Sequence, residues 1–413
     1  MLEEEKRENN KIEEGNKIKE RTREEKNRTA YKVVNETLLR EHAFWSKEPL
    51  GKKQTDFKDS KKEQTTTKDA QQKIVVDGAP GRDTSELSLR TVEIPSELSS
   101  VTALLMNHYI EDSTASFSLQ YSQEFLKWQL SSPSVFPGWN VGMYDGSELV
   151  GFISAAAINI RIKESRPKTA VVNFLCIHKE YRKRRLAPVL IKEVTRRVNE
   201  EGIYTALFTS GEKLPYIFTR SRYYHKILRK GDLVESGFCH PEDVSNITKD
   251  MLSQDSPTVH FRKAADSDLP HIFEMYCDKY SKMDISANYT YEQFEYYVYN
   301  RDRVSDLLIS DDGSEFVSIF YLDTRSAKTD SRIKTAYLSY HNMKNGTGSM
   351  LGLVDYLLKM DECDVLNALE IEHNTESLLR SVGFIKGDGV INYYLFNWDT
   401  EIIPACRNSF ITS

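Results

Sequence analysis

Cysteine is sparse and scattered. The five residues Cys176, Cys239, Cys277, Cys363 and Cys406 form no CxxC pair and no metal-ligand spacing. An odd number of distant thiols argues against a disulfide framework and reads as reduced cysteine in a cytosolic protein. Long apolar runs are missing as well. No stretch approaches the ~18 apolar residues that a membrane-spanning helix needs. The start, Met1-Leu2-Glu3-Glu4-Glu5-Lys6, has neither the basic nor the apolar block of a signal peptide. Positive charge is not in excess either. Lys+Arg number 56 against 62 Asp+Glu, a net charge of -6, which excludes general nucleic-acid binding and leaves only local basic patches to hold anions. Neither a GxxxxGKS/T loop nor the Rossmann glycine fingerprint occurs.

What is present is core material. At ~150 residues per domain, the 413 residues hold about two domains. Apolar residues make up 39% and aromatics 11%, enough for sizeable cores. Residues 1–30 differ: nine acidic and nine basic side chains with almost nothing apolar cannot offset chain entropy. They read as a disordered or loosely helical tail, either a plain solvated end or a docking segment for the ribosome or another partner. Tyr31, Val33, Val34, Leu38, Leu39, Phe44, Trp45 and Leu50 then punctuate a stretch that docks on a folded body, and residues 51–73 return to a polar linker.

The folded body begins near residue 88. Leu104, Leu105, His108 and Tyr109 have helical spacing, as do Phe125, Trp128 and Gln129. Val141–Tyr144 and Leu149–Ile153 flank Asp145-Gly146, a hairpin signal. Val171–Ile177 reads as a buried strand and Tyr204–Thr209 as another. Between them, 187–200 reads as a helix, with Pro188 in its first turn and Leu190, Val194 and Val198 on one face. The second half repeats this order: strands around Asp312-Gly313, a strand at 336–340, a helix carrying Leu351, Val354, Leu357 and Leu358, and a strand at 365–371. Asp-Gly-Ser-Glu stands at both 145–148 and 312–315. Four elements in one order, twice, indicate duplication.

The strand ending at Ile177 runs into His178-Lys179-Glu180-Tyr181-Arg182-Lys183-Arg184-Arg185, then a helix from Leu186-Ala187-Pro188. Five of the seven positions 179–185 are basic. Unpaired N–H groups at a helix start, the helix dipole and clustered cations together suit a diphosphate. The plainer alternative is a solvated basic loop.

This loop resembles the acyl-CoA loop of GNAT-type N-acetyltransferases, and Asn374 through Gly383-Phe384 resembles the end of that fold in the second half. Two such units, the first basic and the second not, resemble the N-myristoyltransferase family. The segments Asn173–Lys179, Ala187–Arg197, Glu124–Trp128, Val150–Ser154, Arg222–Lys226, Asp364–Leu369 and Gly387–Trp398 carry the likeness, as does Phe44-Trp45. The resemblance implies an α/β (α+β) fold: two tandem GNAT-like units related by a pseudo-twofold around a continuous mixed sheet. It divides the chain into a charged tail (1–41), an acyl-CoA-contacting segment with linker (42–87), a unit binding myristoyl-CoA (88–250) and a unit forming a peptide groove (251–413).

By the same resemblance the activity is transfer of myristate from myristoyl-CoA, the co-substrate, to N-terminal glycine peptides, with no metal, in a cytoplasmic monomer. The base is the C-terminal carboxylate of Ser413. The backbone amides of Phe174 and Leu175, freed by a bulge, form the oxyanion hole, and Asn173 and Thr209 position the amine. Acyl-CoA is held by Phe44, Trp45, Phe174, Leu175, Cys176, Ile177, Arg182, Lys183, Arg184, Arg185, Leu186, Ala187 and Pro188. Tyr109, Glu111, Phe117, Tyr121, Tyr223, His225, Leu338, Asp388 and Gly389 line the peptide groove. Alternatives are a GNAT-type N-terminal acetyltransferase or an inactive acyl-CoA-binding module.

Overall fold

The computed structural model describes residues 34–52, 72–76, 85–109, 116–229, 233–242 and 258–411, with backbone alone at 72–76 and Ser85. The tail through residue 33, Glu111 and Ser413 lie outside the described residues.

Strand β1 (Gln72–Val76) pairs with β2 (Ser85–Thr91), so regular structure starts at the edge of the stretch that reads as linker. Helix α1 (Leu98–His108), strand β3 (Phe117–Gln120) and helix α2 (Gln123–Leu130) follow. Ser122 caps α2 by accepting from the Phe125 N–H. The Asp145-Gly146 hairpin forms between β4 (Val141–Asp145) and β5 (Glu148–Ile162), with Gly146 at φ 60°, a conformation open to glycine without penalty. Next come β6 (Lys168–Ile177), antiparallel to β5, helix α3 (Leu186–Glu200), and β7 (Thr205–Ser210), parallel to β6. The stripe Leu190, Val194 and Val198 is buried as its spacing predicts, each side chain contributing about 1.5–3 kcal/mol. Strand β8 (Thr219–Ile227) ends the first half.

The second half opens with β9 (Phe261–Lys263), helix α4 (Leu269–Tyr280), β10 (Ile285–Ala287) and helix α5 (Tyr291–Val298). The hairpin β11 (Ser305–Ser310) and β12 (Phe316–Tyr321) turns at Asp312-Gly313, with Gly313 at φ 71°. Strands β13 (Asp323–Ser326) and β14 (Arg332–Ile333) form a separate three-stranded sheet with β3. Then β15 (Thr335–His341), helix α6 (Thr347–Met360), β16 (Val365–Leu369), helix α7 (Glu376–Ser381) and β17 (Ile385–Phe396) complete the chain's regular elements.

The duplication is visible in the pairing. In each half three successive strand pairs are antiparallel and the next is parallel: β2-β4-β5-β6-β7 and β9-β11-β12-β15-β16. Even a register slip recurs. Phe152 pairs with Cys176 and Ser154 with Asn173; Val317 pairs with His341 and Ile319 with Leu338. In both cases two residues face one, which defines a bulge. The halves then exchange strands. β17 lies against β7 of the first half, β8 lies against β16 of the second, and β8 and β17 pair with each other. The result is one mixed 14-stranded sheet.

The N-terminal stretch docks as its apolar residues predict. Leu50 is fully buried, Gly51 N–H donates to Leu395 O (2.8 Å), Asn397 N–H donates to Pro49 O (2.7 Å), and Tyr216 N–H donates to Asn35 Oδ1 (2.8 Å). Among the described residues no helix is long and apolar enough to cross a membrane.

Candidate active site

The site is built where β6 and β7 part. Their ladder runs from Thr169↔Thr205 to Val172↔Phe208 and stops. Asn173 and Thr209 are the next residue on each strand, so they face each other across the start of the opening. On its other edge, β6 carries the bulge at Phe174-Leu175, and Phe174 takes φ 60°. A left-handed conformation is rare for a bulky residue, and it takes these two amides out of the regular ladder. The Phe174 N–H points to the Tyr109 hydroxyl; burial pushes that phenol's pKa well up, and this hydrogen bond acts in the opposite direction. The rings of Tyr109, Tyr121 and Phe174 gather with centroids 5.7–6.1 Å apart.

Cys176 is not a nucleophile here. It is 3% exposed, its thiol faces Leu104 O at 3.9 Å, and burial pushes its pKa up to about 12, so the thiolate is disfavoured. What Cys176 offers a ligand is main chain.

The basic loop divides by role. Arg182 turns back onto the protein: its Nε donates to Ile177 O (3.2 Å) and its guanidinium to His108 O at the end of α1. Arg184 donates to Glu180 O (3.0 Å) and lies over the Tyr181 ring. Lys183 and Arg185 are exposed, and both hold left-handed backbone, φ 66° and 57°. Arg185 is the N-cap of α3, with no side-chain cap bond. Pro188, in the first turn, lacks an N–H and needs no partner there. Two strained residues thus stand beside a helix start that has no side-chain cap, a place where a helix end favours negative charge.

Trp45 stacks on Phe208 at 5.3 Å, and Phe208 on Tyr394 at 5.2 Å, with Phe44 edge-on to Trp45 at 4.9 Å. The docked N-terminal segment therefore reaches β7 beside the opening.

Four of the nine residues expected at the groove, Tyr223, His225, Asp388 and Gly389, lie on β8 and on β17 beside it. His225 sits opposite Asn367 on β16, and its Nδ1 donates to Asn367 Oδ1 at 2.6 Å. Burial lowers the His225 pKa, while Asn367 and the charge of Asp388 act the other way. The imidazole is neutral near pH 7, with Nε2 left as an acceptor. Tyr223 meets Tyr337 at 6.0 Å, and Phe238 joins His225 (5.5 Å) to Phe117 (5.8 Å). Asp388 and Gly389 are exposed on the bulged part of β17, between Lys386 and Val390. Leu338 lies apart from these residues. It is 3% exposed within the apolar cluster beneath α6, with Met350 and Leu353. Strand alternation turns its neighbour Tyr337 to the opposite face, towards Tyr223. Tyr337, Phe238 and Asn367 stand beside Tyr223 and His225, a placement that the sequence reading missed. Alternation along β15 and the pairing of β8 with β16 are the signals that identify them.

Gly387 controls how the imidazole sits. A Cβ there would lie 2.2 Å from His225 Nε2 and 2.9 Å from Tyr223 O. We expect Gly387→Ala to displace His225 from Asn367, raise the peptide KM about tenfold or more, and cost ~1–3 kcal/mol of stability. Steady-state kinetics and thermal melts check this, and a wild-type peptide KM would contradict it.

The last described residues run inward. Asn408 and Ser409 are fully buried, Phe410 is 1% exposed, and Ile411 packs on the cluster that holds Phe174, Tyr121 and Phe125. Among the described residues no group of three His, Cys, Asp or Glu is placed to hold a metal ion.

A parallel strand pair whose ladder stops short, a bulge that takes two amides out of the ladder and a cationic helix start suit an acyltransferase that works on a coenzyme A thioester. Comparison with known proteins makes this specific. Residues 68–221 match the N-terminal domain of myristoyl-CoA:protein N-myristoyltransferase and 239–410 its C-terminal domain. Glycylpeptide N-tetradecanoyltransferase 1 of Arabidopsis thaliana is 33% identical over 374 residues, 86% of each chain. A probable glycylpeptide N-tetradecanoyltransferase of Caenorhabditis elegans is 32% identical over 73% of this chain and 70% of its own. The crystal structure of Saccharomyces cerevisiae N-myristoyltransferase with bound myristoyl-CoA superposes with a TM-score of 0.73 at 26% identity, covering 90% of this chain and 99% of that one. The chain belongs to the myristoyl-CoA:protein N-myristoyltransferase family.

Proposed function

We propose that this chain transfers a myristoyl group from myristoyl-CoA to the N-terminal glycine amine of acceptor proteins, by direct attack. The opening between β6 and β7, flanked by the Phe174-Leu175 bulge and the start of α3, is the observation that carries the reading. The diphosphate lies at the α3 N-terminus with Lys183, Arg185 and the main chain of Leu186 and Ala187. The acyl chain extends under Phe44 and Trp45, and the thioester lies along Cys176, Ile177 and the bulge. The peptide runs past Tyr109, Glu111, Phe117, Tyr121, Tyr223 and His225, with exposed Asp388 and Gly389 at its far end, where Asp388 pairs with a basic side chain.

An N-terminal ammonium has a pKa of about 8. The Ser413 carboxylate takes one proton, and the freed amine, held by Asn173 and Thr209, attacks the thioester carbon. Negative charge on the thioester oxygen is met by the Phe174 and Leu175 N–H groups, once the Tyr109 hydroxyl gives way at Phe174. The C–N bond forms, the C–S bond breaks, and the second amine proton goes to the departing thiolate. The protein works as a cytoplasmic monomer, and its charged first 41 residues serve to dock on the ribosome or a partner.

Incubation with myristoyl-CoA and a peptide beginning in glycine should yield acylated peptide and one CoA thiol per turnover, read with a thiol reagent. The same peptide beginning in alanine should yield neither. Equal acylation of both peptides, or turnover with acetyl-CoA in preference to myristoyl-CoA, rejects the reading.

A further inference from the structure

A buried charge group lies in the second half, away from the acyl-CoA loop. Glu372 is 2% exposed and its carboxylate accepts from Lys279 Nζ, while His341 Nε2 lies 3.7 Å from the same oxygen. Lys279 Nζ also donates to His341 O at 2.5 Å, and Tyr280 OH donates to that carbonyl at 2.9 Å. Three elements meet here: α4 through Lys279, β15 through His341, and the turn after β16 through Glu372. Burial raises the Glu372 pKa, opposed by Lys279, and drives His341 well below its ordinary value, so the imidazole is neutral. Desolvation offsets most of the attraction in such a pair, which makes it a poor source of stability and a good fixed point.

The backbone of Glu372 faces the other way. It holds φ 53°, a left-handed conformation that costs a side chain-bearing residue roughly 1–3 kcal/mol. The turn directs its N–H to Ala405 O and Asn408 O, each at 3.2 Å. On the opposite side the same segment lies along β10: Asp284 N–H donates to Arg407 O (3.0 Å), and Ser409 N–H and Oγ both donate to Ile285 O (2.9 and 2.8 Å). Segment 405–409 is thus clamped between β10 and the Glu372 turn, and beyond it Phe410 and Ile411 lead towards Phe174.

We propose that Glu372, pinned by Lys279, whose ammonium is itself held by the His341 carbonyl, is a positioning residue that sets how far the chain's last residues reach into the acyl-transfer site. This rests on the reading of the Ser413 carboxylate as the base. Asn408, which the turn holds, precedes Ser413 by five residues, and a displacement of about 1 Å at a reacting group can cost about 10²-fold in rate.

The test is the double variant Lys279→Met/Glu372→Met, which removes both charges and keeps the bulk, a change that buried ion pairs tolerate. We expect a cooperative melt, a kcat lower by about 10–100-fold, an unchanged KM for myristoyl-CoA, and faster amide exchange over 405–411 with β6 still protected. A role in stability alone would lower the melting temperature and leave kcat and the local exchange as they were. Glu372→Gly provides a second variant: glycine adopts the turn without strain, so its kcat should also fall, because the pin is lost. A folded variant with parental kcat and parental exchange over 405–411 overturns the proposal. A chain extended beyond Ser413 separates this from the underlying reading. Parental turnover in the extended chain removes both, whereas lost turnover there with parental kcat in the double variant removes only the positioning role.

Discussion

Two glycines added after Ser413 are expected to leave myristoyl-CoA binding intact and to lower kcat by about 10²–10⁴-fold, the usual contribution of a positioned base. The argument is geometric. A terminal carboxylate can reach the amine only if the chain before it is buried and held, and Asn408, Ser409 and Phe410 are. Ile411 lines a small cavity with Trp128, Tyr297, Phe320 and Tyr340. The extension moves the carboxylate onto a new residue and replaces it with a neutral amide that takes no proton. Thiol release under saturating substrate reads kcat, and titration with myristoyl-CoA reads affinity. Loss of both together would indicate misfolding, and parental turnover would remove Ser413 from the mechanism.

The second large effect is expected from Lys183→Gly/Arg185→Gly. Both residues are exposed and left-handed, so glycine deletes two charges and relaxes the backbone at the same time. Relief of strain and the added freedom of the unfolded chain nearly cancel, and stability should stay within about 1 kcal/mol of the parent. Hydrogen bonds to a charged group are worth about 1.5–3 kcal/mol each. Losing two should therefore raise the Kd for myristoyl-CoA by about 10²–10⁴-fold. The parent's affinity should also fall more steeply with salt than the variant's. Affinity retained within a factor of a few would assign diphosphate binding to the α3 amides and leave the loop's charge without a role.

Much of the scaffold was legible because its signals are local. Asp145-Gly146 and Asp312-Gly313 set two turns, and Leu190, Val194 and Val198 set a helix face by spacing alone. The basic run between Ile177 and Leu186 marked the exposed cations at the start of α3. What stayed hidden depends on distant partners. Nothing near Gln72–Val76 indicates that it pairs with Ser85–Thr91. Arg182 and Lys183 look alike in sequence, yet Arg182 is taken up by the His108 carbonyl because α1 ends beside it. Asn367 lies in Asp364–Leu369, a segment that carries the family likeness, but its bond to His225 exists only because β8 crossed to the second half. Leu338 was assigned to the groove by likeness; strand alternation turns it under α6 and places Tyr337 beside Tyr223.

The crossed strands β8 and β17 also bear on assembly. Each half donates its closing strand to the other, the interleaving of a strand swap held within one polypeptide. Neither half carries a complete sheet of its own. Severed between residues 242 and 258, the two pieces should recover structure only when mixed.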